Sequence, residues 1–464
     1  MNNFACRITG SRIARSFARR IAARRALLIA VATGVALTLA ACGSRGTQPA
    51  ARAKGDPPDL VILGVDGFDW NIVDPLVQTG RMPVMQRLLG QGVRADLLTL
   101  VPLEKSPVIW TTIATGRLPG PLEKGRDFVM EGANGAPKAY TSWHRRTRAF
   151  WNILTDRGRT VSVIGWLETW PAEQVAGAIV SDYVQYDIGE RQKLGRIQKR
   201  TFPESLQPTI DSLVVYPRDI SLARMRPLIG GEFDTTRSIP GLRESLDALR
   251  WIYAGDLTFT AIGRMILEEH PTDLVAIYLR GPDAVCHKFW EDRDWLAHGT
   301  GDPERVRILG PVVDLYYEET DRLIGQILEK IDLDRTSLLL VSDHGFQGPR
   351  ISLDGTPRLG IWMHREIGTV FLAGPAAKGK GLRATGARVQ DVLPTVLHIL
   401  KLPIAKDMDG AVAMDLLGAA GGKDRKVDLI ATYETGQPPS GPGEPESPVS
   451  EEIAERMKSL GYVR

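Results

Sequence analysis

Four apolar runs along the chain read as buried strands, and each meets an ionisable side chain at its end. The first, in LVILGVDGFDW, ends at Asp66 and Gly67. The second lies in DLVAIYLRGPDAVCH and leads to Asp283 and His287. The third, Leu338 to Ser342, breaks off at Asp343, His344 and Gly345, and the fourth follows His364 in HREIGTVFLAGP. Unbroken apolar runs, as opposed to alternating ones, suit central strands of a parallel sheet covered on both faces. Between them the spacing predicts helices over Asn71–Gly80, Met82–Gly92, Val108–Ala114, Ala254–Glu269, Val312–Ile331 and Asp391–Leu400. Pro83 suits a first turn and Gly92 a stop, and Ser106-Pro107 opens the third helix. Further strands are expected at Ala95–Val101, Thr160–Trp166 and Gly177–Tyr183. Strands alternating with helices predict an α/β fold: a mostly parallel central sheet with helices on both faces. The less periodic stretch 119–252, rich in Trp, Tyr, Pro and Arg, is expected to add core strands and an inserted cap region.

The termini read differently. Residues 1–41 combine seven arginines and no acid with an apolar run, Ala26 to Ala41, and so read as a targeting segment outside the fold. The run closes on Leu39-Ala40-Ala41-Cys42, which resembles a bacterial lipoprotein box and marks Cys42 for lipidation. An ordinary N-terminal membrane anchor is the alternative. Residues 42–58 read as a flexible tether, 59–430 as the catalytic body, and 431–464 as a Pro/Gly/Glu-rich tail with a short terminal helix, Glu451–Leu460. Removing the targeting segment turns a net charge of +3 into −4. The basicity therefore belongs to targeting, and nucleic-acid binding is not expected. Of three cysteines only Cys286 stays in the body, so an exported form would have no internal disulfide framework.

The strand ends gather three carboxylates and three imidazoles: Asp66, Asp283, Asp343, His287, His344 and His364. Asp283 and His287 stand four apart, on one face of a helical turn. Open α/β sheets bind ligands beyond the carboxyl ends of their strands. With the hydroxyl of Ser106 these groups suffice for two divalent metals such as zinc or manganese. Two such metals can steady both the attacking and the leaving oxygen of a displacement at phosphorus.

The ordered set VDGFD, SPVIWTTIATG, GWLETWPAE, DAVCH, SDHG and HREIGTVFLAGP resembles the alkaline phosphatase superfamily over about Asp59 to Gly410. It is most similar to the type I phosphodiesterase/nucleotide pyrophosphatase branch as found in bacteria. The resemblance implies an alkaline-phosphatase-like core and a metal-dependent phosphoric ester hydrolase. Its implied site holds one metal on Asp66, Asp343, His344 and the nucleophile Ser106, and a second on Asp283, His287 and His364. A metal-activated Ser106 would pass through a phosphoserine on a small phosphorylated substrate.

The chain also departs from that pattern. Ser106 replaces the threonine nucleophile of many members, and Ile109 stands where an asparagine contacts a phosphate oxygen, which weakens a nucleotide-diester reading. The C/S-x-P-x-R motif of sulfatases is absent from Ser106-Pro107-Val108. Lys105, Trp110 and Arg117 are candidate substrate contacts or plain solvated and packing residues. His144, His270, His298 and His398 lie outside the motifs. A phosphoryl transferase sharing the same intermediate and a non-catalytic envelope lipoprotein are the alternative functions. Oligomeric state is not legible in the sequence.

Overall fold

The computed structural model describes residues 52–120, 128–132, 135–188, 197–232, 239–351, 357–436 and 446–459. A ten-stranded sheet runs through it. Its strands are β1 (Leu60–Val65), β2 (Gly92–Leu98), β3 (Val161–Ile164), β4 (Gly177–Val180), β5 (Thr201–Phe202), β6 (Leu274–Leu279), β7 (Ser337–Val341), β8 (Ile367–Ala373), β9 (Leu382–Arg383) and β10 (Ala387–Arg388). Their order is β9-β2-β8-β7-β1-β6-β3-β4-β5, with β10 also on β2. Strand β1 is parallel to both β6 and β7, and β3 is parallel to β6 and β4. Only β8 and β5 run against their neighbours. The carboxyl ends of the three central strands therefore open on one edge, the edge on which parallel sheets place ligands.

Each central strand feeds two cores, which is why it reads as a continuous apolar run. Val61, Leu63 and Val65 of β1 face one core, shared with helices α1 (Trp70–Gln78), α2 (Pro83–Leu89), α4 (Leu242–Glu269), α5 (Gly281–His298) and α6 (Val312–Leu328). Leu60 and Ile62 face the other, under α3 (Ser106–Thr115) and α7 (Val392–Ile399). This is the mostly parallel α/β architecture, helices on both faces, that the pattern predicts.

The second strand and helix α4 have boundaries that differ from the sequence expectation. The second strand covers Gly92–Leu98 instead of Ala95–Val101, because its ends are set by residue-for-residue pairing with β8, from Gly92↔Ala373 to Leu98↔Ile367. Helix α4 starts at Leu242, well before Ala254; Leu242, Leu246 and Leu249 put a thin apolar stripe on an otherwise polar segment. The terminal helix, α8 (Ser450–Ser459), is not isolated. It packs on a hairpin of Val129–Glu131 and Pro137–Ala139, where the Ala139 N–H donates to Ser450 Oγ at 3.0 Å. Val449 and Ile453 join the core beside it. Among the described residues no helix is long and apolar enough to cross a membrane.

Candidate metal centre and nucleophile

The local chain explains how each group reaches the sheet edge. Asp66 follows β1 directly, its N–H donating to Leu279 O at 2.9 Å, and Gly67 then turns away at φ 64°. That positive φ is cheap only for glycine. Helix α5 begins just beyond β6 and puts Asp283 in its first turn and His287 one turn later. Its start is held by Asp256 of α4, whose Oδ1 accepts the N–H groups of Arg280 and Gly281, each at 3.2 Å. After β7, Ser342 Oγ accepts from Phe68 N at 2.8 Å and donates to His344 O at 2.9 Å, tying the Asp343-His344 turn to the Asp66 loop. His364 is set by antiparallel pairing with Phe346. Ser106 opens α3, whose C-cap is Gly116 at φ 67°.

Six of the predicted ligands meet in two buried sets, Asp66 with Asp343 and His344, and Asp283 with His287 and His364. Within each set the ligand atoms lie within 4.8 Å of one another. His344 Nε2 is 3.4 Å from both Asp66 Oδ1 and Asp343 Oδ2. Asp283 Oδ1 lies 3.3 Å from His287 Nε2, 3.6 Å from His364 Nε2 and 3.7 Å from His344 Nε2, so it stands between the sets. His287 and His364 bring their Nε2 atoms to 2.9 Å. Ser106 Oγ joins the first set at 3.4 Å from His344 Nε2 and is fully buried. His344 Nδ1 lies 3.0 Å from Gly345 O, which places the ring hydrogen there and turns the Nε2 lone pair inward.

The charges are out of balance in a way that suits dications. Burial, then repulsion from Asp283, raises the pKa of Asp66, and burial with Asp66 beside it pushes Asp343 well above the ordinary carboxylate value. Burial also acts against Asp283, yet His287, His344 and His364 together hold it below its ordinary value. Burial and the two neighbouring imidazoles drive His364 well below the usual histidine range. Asp66 Oδ1 and Asp343 Oδ2 accept no hydrogen bond among the described residues. Buried carboxylate oxygens without donors are costly unless a cation meets them. Two sets of oxygen and imidazole donors, the first carrying these oxygens, each suit a divalent metal.

The weaker candidates separate. Lys105 is the N-cap residue of α3, half-buried beside Ser106. Ile109 is wholly inside the core and brings no polar group to the site. Trp110 is also buried, with its indole N–H donating to Asp66 Oδ2 at 3.2 Å. Arg117 lies past the far end of α3, about 15 Å along the axis from Ser106, and pairs with Asp407 at 2.8 Å. The helix start is also poorer in donors than its position suggests. Pro107 has no N–H, and those of Val108 and Ile109 both turn back to Lys105 O. Cys42 lies outside the described residues.

Sequence reasoning passed over two supporting residues. Tyr278 donates its hydroxyl to Asp66 Oδ2. Asp69 caps α1 through Asn71 N, accepts Phe346 N at 2.8 Å, and binds Arg365 Nη1 at 2.7 Å with both oxygens. Asp69 was detectable as an acid just before a helical run; Tyr278 in mid-strand carried no such signal.

A model of the type I phosphodiesterase / nucleotide pyrophosphatase family matches residues 60–395. Among solved structures, human ectonucleotide pyrophosphatase/phosphodiesterase 5 is 14% identical at a TM-score of 0.43, covering 77% of this chain and 99% of that one. Phosphonoacetate hydrolase from Sinorhizobium meliloti 1021, in complex with phosphonoformate, is 18% identical at 0.37, over 66% and 60% of the two chains. A 2-O GAG sulfatase is 13% identical at 0.47, over 80% and 76%.

Proposed function

Since the chain belongs to the type I phosphodiesterase / nucleotide pyrophosphatase family, we propose that it hydrolyses phosphate esters with Ser106 as nucleophile, through a phosphoserine. The observation that carries this reading is the placement of Ser106 Oγ, buried and 3.4 Å from His344 Nε2 of the first donor set, at the carboxyl edge of the sheet. Asp66, Asp343, His344 and Ser106 would hold one divalent ion, and Asp283, His287 and His364 a second, zinc or manganese. Bound there, such ions supply positive charge that lowers the pKa of a coordinated hydroxyl and offsets charge on the phosphoryl oxygens.

The protein's own groups do the rest. Ser106 forms the bond to phosphorus as the ester oxygen leaves, and water then cleaves the phosphoserine and restores the hydroxyl. The partial positive charge at the start of α3 favours the phosphoryl group, while the scarcity of free helix N–H groups leaves most of the charge to the metals. Ile109, buried and apolar, offers no contact to a non-bridging oxygen, which favours substrates other than nucleotide diesters.

The test uses residues 43–464, stripped of metal and reloaded with zinc or manganese. Turnover of an aryl phosphodiester, the matching monoester and an aryl phosphonate is compared in wild type and Ser106→Ala. Metal-dependent turnover that falls at least about a thousandfold in Ser106→Ala is expected. Metal binding without turnover of any ester would remove the hydrolase reading.

The mature protein is proposed to be exported and held at a membrane through lipid on Cys42, supported by the Leu39–Cys42 sequence. Radiolabelled palmitate should enter the wild-type chain and not Cys42→Ala. Equal labelling of the two would end that reading.

A further inference from the structure

We propose that Tyr278 and Trp110 are positioning residues that hold Asp66 as a one-oxygen ligand, reserving its Oδ1 for the metal shared with Ser106. The inference rests on the two-metal reading above and assigns residues that lie outside both donor sets.

The register of the sheet builds this arrangement. Side chains alternate along β1, so Gly64 and Asp66 share a face with Ile62. Tyr278 of β6 lies directly beside Gly64 across the parallel pair. Its hydroxyl reaches Asp66 Oδ2, two residues further along that face. Trp110 comes from the other direction, one helical turn after Ser106 on α3, and donates to the same oxygen at 3.2 Å. The two rings meet edge to face with centroids 4.9 Å apart. Trp166 joins the cluster, its ring centroid 5.0 Å from Trp110 and 6.2 Å from Tyr278. Gly64 makes the space: a Cβ there would lie 2.9 Å from Trp110 Cζ3 and 3.3 Å from Tyr278 Cδ2.

Two donors on Oδ2 and none on Oδ1 polarise the carboxylate in function as well as in space. An oxygen that already accepts two hydrogen bonds is a poor ligand, so Asp66 presents Oδ1 alone. Because Trp110 and Ser106 share one helix, the indole also sets how far the nucleophile stands from Asp66. Both donors go to Asp66, which belongs to only one of the two donor sets, so loss of Tyr278 or Trp110 should weaken one metal site and spare the other.

The experiment titrates zinc into wild type, Tyr278→Phe, Trp110→Phe and Gly64→Ala in competition with a chromophoric chelator. Bound metal is counted after gel filtration, and folding is checked by thermal melting of the metal-free proteins. Wild type is expected to take up two ions. Tyr278→Phe and Trp110→Phe should keep one site at wild-type affinity and bind at the other about 10- to 100-fold more weakly. Gly64→Ala, whose Cβ crowds the Trp110 ring at 2.9 Å and the Tyr278 ring at 3.3 Å while leaving both donor groups in the chain, should follow Trp110→Phe. The cobalt-loaded Tyr278→Phe protein should also show an altered visible spectrum as Oδ2 loses one of its two donors. Two sites of unchanged affinity in Tyr278→Phe would overturn the positioning role while leaving the two-metal reading intact. Equal weakening of both sites would overturn it as well, and a wild-type protein that binds no metal would overturn both.

Discussion

At the scale of single residues, the site depends on close approach as much as on its ligands. Gly67 joins the loop after Asp66 to the start of α5, and the Asp283 N–H donates to Asp66 O at 3.1 Å. A Cβ on Gly67 would fall 2.9 Å from both Cα and Cβ of Asp283, and its φ of 64° is left-handed. Gly67→Ala therefore costs about 1–2 kcal/mol in backbone conformation and also pushes Asp66 and Asp283 apart. These carboxylates serve different donor sets, so both sets lose geometry together. Turnover should fall about a hundredfold, as a 1 Å misplacement of reacting groups predicts, with a lower melting temperature. Wild-type turnover in Gly67→Ala would show that the contact is slack. Gly67 was visible in the sequence as a turn residue; that its missing side chain makes room for Asp283, far along the chain, was not.

At the scale of elements, the pairing of α4 with α5 is controlled by one buried acid. Asp256 accepts from Arg280 N and Gly281 N through Oδ1 and from Tyr316 OH at 2.9 Å through Oδ2. Burial outweighs these donors and raises its pKa to about 7. With the folded pKa above that of the unfolded chain, the folded state binds the extra proton between roughly pH 4 and 7. This group's contribution is then most favourable near pH 4, is lost as pH rises toward 7, and is constant above. Asp256→Asn keeps an acceptor for both N–H groups and cannot ionise. The difference in melting temperature, variant minus wild type, should rise from pH 4 to 7 and then level off in protein kept metal-free with chelator. A difference independent of pH would place the titration elsewhere. The helix itself was partly legible: the Ala254–Glu269 segment has helical spacing, whereas the polar first turns from Leu242 became helix because tertiary burial of Leu246 and Leu249 rewards a thin stripe.

At the scale of the whole molecule, the two ends of the sheet have separate duties. The candidate metal donors and Ser106 occupy the carboxyl edge. At the opposite end Arg52 reaches Asp273 at 2.9 Å and Asp59 at 2.6 Å, and Arg159 binds the same two acids, securing the incoming chain where β1 and β6 begin. Near the other terminus, Ser447 Oγ meets Tyr183 OH at 2.9 Å, just after β4. The sequence by itself determined the strand–helix alternation and the positions of the six candidate donors and Ser106 near strand ends, because apolar periodicity and residue type are local properties. Tertiary structure alone decided that Tyr278 and Trp110 share one oxygen of Asp66, that Arg117 stands apart from the site, and that α8 packs on a hairpin. Each of those depends on register, helix direction or burial between segments distant in sequence, and no local pattern encodes them.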